Sequence, residues 1–435
     1  MSDYKELYRA KLMSADDVAA KIPNGSMIAT DLFLAQPRSI FGAINKRCEE
    51  DNIHDCAVTT ALDLYPLACY KDPKYLKNLR GISFFCSGHS RPCVNSGMAD
   101  FLPFTYWDGP AVIRDNIDYD VYVVSVAPMD ENGYFSLGVT GSVSSVYIDK
   151  AKIILLEVND KMPYCLAGLK IHISQVTALC EASYTLPAMP AAALDETSIA
   201  IGNLIAEEIP NGACLQLGIG GIPDAVGMAL KSKRNLGIHT EMLTDSMIEL
   251  IECGAVDNRS KQTHVGKTVA TFAFGSQRIY DYVNRNPAME ILPVEYVNNP
   301  YNIAQNDNFI SVNAALEVDL MGQVCSESMG PRMFSGSGGQ LDFVRGAVMS
   351  KGGKSFIAFP AAAKGNTITK IKPILTPGSI VTTGRNDVDM IVTEYGIAKL
   401  RGKTMSQRAR NLISIAHPDF RDELTFEAKK MNLIV

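Results

Sequence analysis

A four-residue sequence occurs twice in this chain, and both copies have similar neighbours. IPNG stands at residues 22–25 and again at 209–212, an offset of 187 positions. A segment with helical periodicity precedes each copy, with Ser14 as the predicted N-cap of the first helix and Asp195 as that of the second. A short apolar strand follows each copy. A helix–turn–strand unit that is repeated at long range predicts two structurally related halves.

Each half alternates short apolar runs with segments of helical periodicity. This alternation predicts an α/β fold with two related domains, each a mostly parallel sheet covered by helices. The domains are expected at residues 1–190 and 191–435, and the segment Thr185–Ala193, rich in proline and alanine, is the predicted linker. The predicted strands are Ser26–Thr30, Val121–Val126, Ile153–Val158, Ala213–Leu217, Val269–Phe274, Phe309–Asn313, Ser355–Pro360, Ser379–Thr383 and Met390–Thr393.

The composition argues against several classes of protein. The 435 residues carry a net charge of −6, whereas a nucleic-acid-binding surface is basic, so we expect no nucleic-acid partner. No stretch approaches the ~20 apolar residues that span a bilayer, and the charged N-terminus lacks an apolar signal segment. We therefore expect a cytoplasmic protein without membrane contact. The 10 cysteines form no CxxC pair, which predicts reduced thiols and no metal site.

A glycine-rich turn at residues 215–226, LQLGIGGIPDAV, is the most informative local motif. An apolar strand enters consecutive glycines and then an apolar helix, which gathers main-chain N–H groups at a spot suited to an anion or an oxyanion. A dinucleotide-binding loop is one interpretation. Gly218 and Gly220 fit the first half of GxGxxG, and Glu241 stands near the position of a ribose-binding acid. Pro223 replaces the third glycine, which weakens this interpretation.

Glu241, the last residue of GIHTE at 237–241, favours a different interpretation. A carboxylate can attack a thioester to give an acyl anhydride, and the attack creates a tetrahedral oxyanion. The amides near Gly220 and Gly221 could donate to that oxyanion, because glycine lets the backbone approach the reacting carbon. The unperturbed pKa of a glutamate is about 4.3, so Glu241 is expected to be ionised at neutral pH without a general base.

Further motifs extend over essentially the whole chain. They are LGIGGIPDAV at 217–226, GIHTEMLTDSM at 237–247, SGSGGQLDFVRGA at 335–347, VTEYGIAKLRGK at 392–403, IAHPDFRDEL at 415–424, APMDENGYFSLG at 127–138 and LEVNDKMP at 156–163. Together they resemble the acetyl-CoA hydrolase/transferase family, in particular its 4-hydroxybutyrate CoA-transferase and butyryl-CoA:acetate CoA-transferase subgroup. The resemblance implies two domains of CoA-transferase type. It also implies ping-pong transfer of coenzyme A between short-chain carboxylic acids through a glutamyl-CoA thioester on Glu241.

The resemblance also implies where the substrates bind. The first coenzyme A-binding loop would comprise Gly218, Ile219, Gly220, Gly221 and Ile222, with the oxyanion donors at Gly220 and Gly221. The second loop, at 335–343, is implied to lie by the active site, with Gly338 and Gly339 against the pantetheine arm or a phosphate. Lys364, in PAAAKGN, follows a strand and could meet the phosphates.

The implied partners are an acyl-CoA and a short-chain carboxylate, with a homodimer or homotetramer as the expected assembly. Coenzyme A is a substrate here, and we expect no tightly bound cofactor and no metal.

The residues alone leave alternatives open. The glycine loops can be plain turns, Glu241 can be a carboxylate stabilised by a helix N-terminus, and Glu394 is a rival acid after a strand. His239 could orient a substrate or be a buried structural residue. An acyl-CoA hydrolase would differ from a transferase only in admitting water to the intermediate, and a non-catalytic coenzyme A sensor would need no nucleophile.

Overall fold

A computed structural model describes residues 2–188 and 194–435, so residues 189–193 of the predicted linker lie outside the described residues. The chain divides into two compact units. The first unit is Met1–Pro190 with Val269–Tyr296, and the second is Ala191–Thr268 with Val297–Val435. Residues 269–296 therefore belong to the first unit although they follow position 190 in the sequence.

Short and medium-length helices alternate with the strands in both units. The α-helices in the described residues are α1 (Ser2–Lys11), α2 (Ala15–Ala19), α3 (Arg38–Glu49), α4 (Ala68–Lys71), α5 (Ser90–Ser96), α6 (Gly109–Asn116), α7 (Ser144–Lys150), α8 (Glu196–Glu207), α9 (Gly221–Ala229), α10 (Asp245–Glu252), α11 (Gln277–Val283), α12 (Val294–Val297), α13 (Pro300–Ile303), α14 (Gln340–Met349), α15 (Met405–Ser414) and α16 (Arg421–Lys430). The 3-10 helices are Phe33–Ala35, Pro73–Lys77, Tyr106–Asp108, Leu230–Ser232 and Pro418–Phe420.

The strands range from two to seven residues. In the described residues they are β1 (Met27–Thr30), β2 (Cys56–Ala61), β3 (Leu79–Phe85), β4 (Ala99–Phe101), β5 (Val121–Val126), β6 (Tyr134–Ser136), β7 (Ile153–Asn159), β8 (Ala167–Gly168), β9 (Lys170–His172), β10 (Ala178–Ala182), β11 (Cys214–Leu217), β12 (Gly237–Leu243), β13 (Thr268–Ala273), β14 (Met289–Ile291), β15 (Phe309–Ala314), β16 (Glu317–Asp319), β17 (Val324–Cys325), β18 (Ser328–Met329), β19 (Arg332–Met333), β20 (Lys354–Ala358), β21 (Ala362–Ala363), β22 (Ile368–Thr369), β23 (Ile371–Lys372), β24 (Met390–Thr393) and β25 (Gly396–Lys399).

The first unit contains a sheet of seven strands in the order β10-β7-β5-β1-β2-β3-β4. All neighbouring pairs in it run parallel. Every residue of β5 is buried, as expected for a strand covered by helices on both faces, and this explains its unbroken apolar sequence. α2 and α3 contribute Val18, Ile40 and Ile44 to the buried cluster that also contains Val58 and Val121.

The second unit contains strands in the order β25-β24-β20-β15-β11-β12, all parallel except the antiparallel edge pair of β24 and β25. α15 and α16 contribute Leu412 and Leu424 to a buried cluster with Ile391 of β24. The prediction of α/β units with mostly parallel, helix-covered sheets is confirmed.

The two units repeat the same local construction. Ser14 Oγ accepts a hydrogen bond from the Asp17 N–H at 3.1 Å, and the Asp195 carboxylate accepts one from the Ser198 N–H at 2.7 Å, so both predicted N-caps are confirmed. The glycine of each IPNG turn has a positive φ, +75° at Gly25 and +77° at Gly212. Each turn leads into a central strand, β1 or β11, from which the chain continues to both sides of the sheet.

The strand predicted at Ser379–Thr383 is wrong. The segment is irregular, with Ile380 and Val381 exposed and Thr383 forming only an isolated bridge to Val324. Its hydrogen bonds do not form a ladder: the Ile380 N–H donates to Ser328 Oγ at 2.8 Å, and the Thr382 N–H donates to the Val324 carbonyl at 2.9 Å. An apolar run of strand-like sequence therefore does not enter a sheet here.

A membrane span would need a longer apolar helix than any found in residues 2–188 and 194–435. Within the same residues, no group of three or more His, Cys, Asp or Glu side chains is arranged to hold a metal ion.

The packing of α8 against α9 generates a stability prediction. A Cβ at Gly202 of α8 would lie 2.8 Å from the backbone of Ala225 in α9. Gly202→Ala must therefore push α8 and α9 apart, and α9 is the helix that follows the glycine loop. We expect a loss of ~1–3 kcal/mol in the free energy of unfolding. Gly42→Ala in α3 is the matched control, because it meets no atom within 4 Å and should gain ~0.5–1 kcal/mol. Urea unfolding of both variants measures the difference, and equal effects would contradict this account of the packing.

Candidate active site

Glu241 lies near the carboxyl end of β12, beside the end of β11. The two strands are parallel, with Leu215 opposite Ile238, and extending this register places Gly218 level with Glu241. The carboxyl ends of parallel strands lie at the same edge of a sheet. A crevice forms at this edge where the connections from two adjacent strands lead to opposite sides of the sheet. The strand order β15-β11-β12 creates such a point at the end of β11. The glycine loop and the candidate nucleophile therefore share one sheet edge.

The carboxylate of Glu241 is held by two donors from outside its own strand. Asn298 Nδ2 donates to Oε2 at 2.8 Å, and the main-chain N–H of Gly339 also donates to the carboxylate. A Cβ at position 339 would overlap both Glu241 Oε2 and Asn298 Nδ2. Glycine is therefore required at 339, because only a residue without a side chain lets this amide come so close.

Burial changes the acidity of Glu241. Desolvation by the surrounding protein raises its pKa from 4.5 to about 7, although the hydrogen bonds from Asn298 and Gly339 act in the opposite direction. The side chain nevertheless keeps some solvent-accessible surface, because the residue is only partly buried. The pKa of a solvated glutamate, on which the expectation of an ionised Glu241 is based, therefore does not apply to this side chain.

The first glycine loop has the backbone of a tight strand-to-helix turn. Gly220, the N-cap of α9, has φ +107° and ψ −178°, a conformation that residues with side chains rarely adopt. The Gly218 N–H donates to the Val312 carbonyl at 2.9 Å and so belongs to the sheet edge. Ile219 is 51% exposed, whereas Ile222 is buried in the first turn of α9. The described partners of the Glu241 carboxylate are Asn298 and Gly339, and donation by Gly220 or Gly221 to a reaction intermediate stays a prediction.

The second glycine loop leads into α14 and is anchored to a strand end. Gly338 has φ +51°, and Gly339 is the N-cap of α14. Gln340, the first residue of the helix, donates from Nε2 to the Ala314 carbonyl at 2.7 Å. Its Oε1 accepts a hydrogen bond from Ser326 Oγ at 2.8 Å. These bonds fix the start of α14, and with it the Gly339 amide, against the end of β15.

The other candidate residues also belong to the second unit. Lys364 is exposed in the turn between β21 and β22, with φ +51°, and its role toward phosphates stays a prediction. Glu394 accepts a hydrogen bond from the Ala361 N–H at 2.9 Å, which gives this rival acid a structural partner. His239 is fully buried, and its Nε2 lies 2.7 Å from the Val297 carbonyl oxygen.

Sequence reasoning missed Asn298 and assigned Gly339 only to coenzyme A. Asn298 stands 57 residues from Glu241, in the run NNP at 298–300, where asparagines usually signal turns and caps. Its neighbour Asn299 does cap α13, by accepting from the Tyr301 N–H at 2.9 Å. No local signal distinguishes the asparagine that contacts the carboxylate from the one that caps the helix.

Two family models match the chain. The acetyl-CoA hydrolase/transferase N-terminal domain matches residues 1–189, and the acetyl-CoA hydrolase/transferase C-terminal domain matches residues 275–428. The second match contains Asn298 and Gly339, whereas Glu241 lies between the two matched ranges.

Curated relatives align over nearly their whole length. The chain is 45% identical to the succinyl-CoA:cyclohexane-1-carboxylate CoA transferase of Geobacter metallireducens, over 99% of this chain and 98% of the relative. It is 42% identical to the 4-hydroxybutyrate coenzyme A transferase of Clostridium kluyveri, over 98% and 99%. Among solved structures, RipA from Yersinia pestis aligns with a TM-score of 0.94 at 38% identity, over 99% of this chain and 100% of RipA. The 4-hydroxybutyrate CoA-transferase from Porphyromonas gingivalis aligns with a TM-score of 0.83 at 36% identity, over 98% and 100%.

The raised pKa of Glu241 predicts that its charge destabilises the folded protein. Between pH 4.5 and about 7 the unfolded chain ionises this group and the folded chain does not, so its contribution to stability falls as the pH rises. Glu241→Gln should therefore stabilise the protein at pH 8 by roughly 1–3 kcal/mol, discounted for the solvent access of the side chain, and have little effect at pH 4.5. Thermal unfolding at both pH values tests this. Glu131→Gln, at an exposed glutamate, is the control, and an equal response of both variants at pH 8 would contradict the prediction.

Proposed function

The chain belongs to the acetyl-CoA hydrolase/transferase family, and from that premise we propose that it transfers coenzyme A between short-chain carboxylic acids through a covalent thioester on Glu241. The observation that carries the proposal is the pair of donors that hold the Glu241 carboxylate at a sheet edge beside a glycine loop. Relatives named as CoA-transferases at 38–45% identity over nearly the whole chain support the reaction class.

The proposed reaction begins with attack by one oxygen of Glu241 on the carbonyl carbon of an acyl-CoA. The carbon–sulfur bond breaks, coenzyme A leaves as a thiolate, and an acyl-glutamyl anhydride remains. The thiolate then attacks the glutamyl carbon, which expels the donor acid as a carboxylate and leaves coenzyme A on Glu241 as a thioester. An acceptor carboxylate reverses both steps and departs as the new acyl-CoA. Atoms and charge balance without a redox cofactor or a metal.

The hydrogen bonds on Glu241 suggest a role for each of its oxygens. Oε2 accepts from Asn298, so Oε1 is the oxygen that we assign to the attack. When the thiolate or the acceptor acid attacks the glutamyl carbon, negative charge develops on Oε2, where Asn298 is already directed, and the Gly339 N–H donates to the same carboxylate. Losing one such donor costs ~2.7–4 kcal/mol of transition-state stabilisation in other enzymes of acyl transfer. The amides of Gly220 and Gly221 remain our candidates for the oxyanion on the acyl carbon.

The parts of the proposed site all belong to the second compact unit. Glu241, Asn298, the loop at 218–222 and the loop at 335–339 lie within Ala191–Thr268 and Val297–Val435. We therefore propose that the C-terminal CoA-transferase domain carries the nucleophile and the coenzyme A-binding loops. Coenzyme A enters the reaction as substrate.

Trapping the covalent intermediate tests the proposal directly. The protein is incubated with acetyl-CoA or butyryl-CoA and treated with borohydride, which reduces a glutamyl thioester to an alcohol. We expect mass spectrometry of the peptide spanning residues 237–247 to find the reduced side chain at Glu241. Glu241→Gln should show no modification and at least a ~10³-fold loss of transfer. Turnover with an unmodified Glu241 peptide would contradict the covalent route.

Dependence on an acceptor separates transfer from hydrolysis in the same samples. A transferase releases no net coenzyme A, and consumption of butyryl-CoA requires added acetate. Release of free coenzyme A at the same rate with and without acetate would establish a hydrolase and overturn the transfer proposal.

Gly339→Ala tests the assigned donor. The new Cβ would displace the Glu241 carboxylate, the Asn298 amide or both, so we expect at least a ~100-fold loss in kcat/KM. Gly42→Ala, with no neighbour within 4 Å of its Cβ, is the control for a general effect of the substitution. Initial rates with butyryl-CoA and acetate provide the measurement, and Gly339→Ala activity within about threefold of the parent would remove this donor from the mechanism.

A further inference from the structure

His239 occupies the same face of β12 as Glu241, two residues earlier. Successive side chains of a strand point to opposite faces, so residues 239 and 241 point the same way. The imidazole is fully buried. The rings of Phe309 and Phe343 meet it edge to face, with centroids 6.0 and 6.5 Å away. The polar ring of His239 is thus packed against aromatic side chains and is the neighbour of Glu241 on this face of β12.

The hydrogen bond of His239 fixes its tautomer. Nε2 lies 2.7 Å from the Val297 carbonyl oxygen, which can only accept, so Nε2 carries the proton. Nδ1 is buried and has no hydrogen-bond partner among the described residues, which fits a neutral ring with a bare second nitrogen. Burial, aided by the positive charge of Lys261, lowers the pKa of His239 to about 3. His239 is therefore a neutral donor at working pH.

The acceptor of this bond is the peptide group that leads into Asn298. The carbonyl oxygen of Val297 and the main-chain nitrogen of Asn298 belong to one rigid plane, so fixing the oxygen fixes the plane. The orientation of that plane sets the direction in which the Asn298 side chain leaves the backbone. Its Nδ2 then donates to Glu241 Oε2 at 2.8 Å. The path starts on β12 at His239, crosses to Val297 and Asn298, and returns to β12 at Glu241.

We propose that His239 is a positioning residue that aims the Asn298 amide at Glu241, an inference that rests on the proposed function of Glu241. A buried nitrogen without a hydrogen-bond partner, such as Nδ1, destabilises the folded protein, and an apolar side chain among Phe309 and Phe343 would avoid that cost. The donor at Nε2 is what histidine supplies here and an apolar residue does not. This donor acts on Glu241 only by orienting the Asn298 side-chain amide, because the His239 ring does not touch the carboxylate in the contacts described.

A double-mutant cycle tests this role. His239→Leu removes the donor at similar volume and should lower kcat ~10- to 100-fold, with the KM for acyl-CoA within about twofold. His239→Gln places an N–H donor at about the same distance from the backbone and should restore kcat to within about threefold. In an Asn298→Ala background, where no amide remains to be aimed, His239→Leu should cost less than about threefold. Single-turnover formation of the Glu241 thioester is the rate to measure.

The other outcomes of this cycle distinguish a positioning role of His239 from a packing role. Equal losses for His239→Leu in both backgrounds, or equal losses for the Leu and Gln variants, would make His239 a packing residue and overturn the inference. If His239→Leu does not fold, His239→Phe keeps the aromatic packing without the donor and takes its place in the cycle. Absence of the Glu241 thioester in the parent protein would instead refute the proposed function, so the two failures are distinguishable.

Discussion

A partly buried carboxylate near the end of a parallel strand is the constraint on which the rest of this site depends. Desolvation opposes the charge of Glu241, and the donors Asn298 and Gly339 favour it. The balance leaves a pKa of about 7, so a substantial fraction of the group is anionic at neutral pH. A fully solvated glutamate would be anionic but strongly hydrated, and one without donors would be protonated. The two donors thus keep a desolvated carboxylate partly charged, as the proposed role of Glu241 as a nucleophile requires.

The glycines at the site follow from the same constraint. At Gly339 a Cβ would overlap the Glu241 carboxylate, so this amide can donate to it only from a glycine. Gly220 serves a different need, because its φ of +107° bends the chain from β11 into α9. One glycine therefore permits close approach and the other permits a backbone conformation. Both requirements are met at the same edge of the sheet.

The two units differ at the end of their central strands, β1 and β11. Asp31 follows β1 at the position where Gly218 follows β11 in the repeat. Asp31 is fully buried and accepts hydrogen bonds from Tyr122 Oη at 2.8 Å, from Thr140 Oγ1 at 3.2 Å and from Ser144 Oγ. The first unit thus fills this strand end with its own polar network. The second unit has the glycine main chain at this position, which our proposal assigns to the approach of the substrate.

The sequence by itself determined the features that depend on neighbours within one or two turns. The caps at Ser14 and Asp195, the repeated glycine turns and the glycine loop before α9 are of this kind, and so is the alternation that specifies the α/β class. The candidate nucleophile was also identifiable, because its motif resembles that of a known family. Each of these signals arises from side chains and backbone groups that are close in sequence and interact independently of the rest of the chain.

Only the tertiary structure decided what surrounds Glu241. Asn298 is 57 residues away and resembles any turn asparagine in sequence, and Gly339 is more distant still. The pKa of Glu241 could not be read from its motif, because desolvation sums over all atoms packed around the group. The strand expected at Ser379–Thr383 failed for the same reason, since the Ile380 N–H found a side-chain partner in Ser328 and only the end of the segment pairs with Val324. Local interactions can be predicted from adjacent residues, whereas desolvation and long-range contacts arise only once the chain has folded.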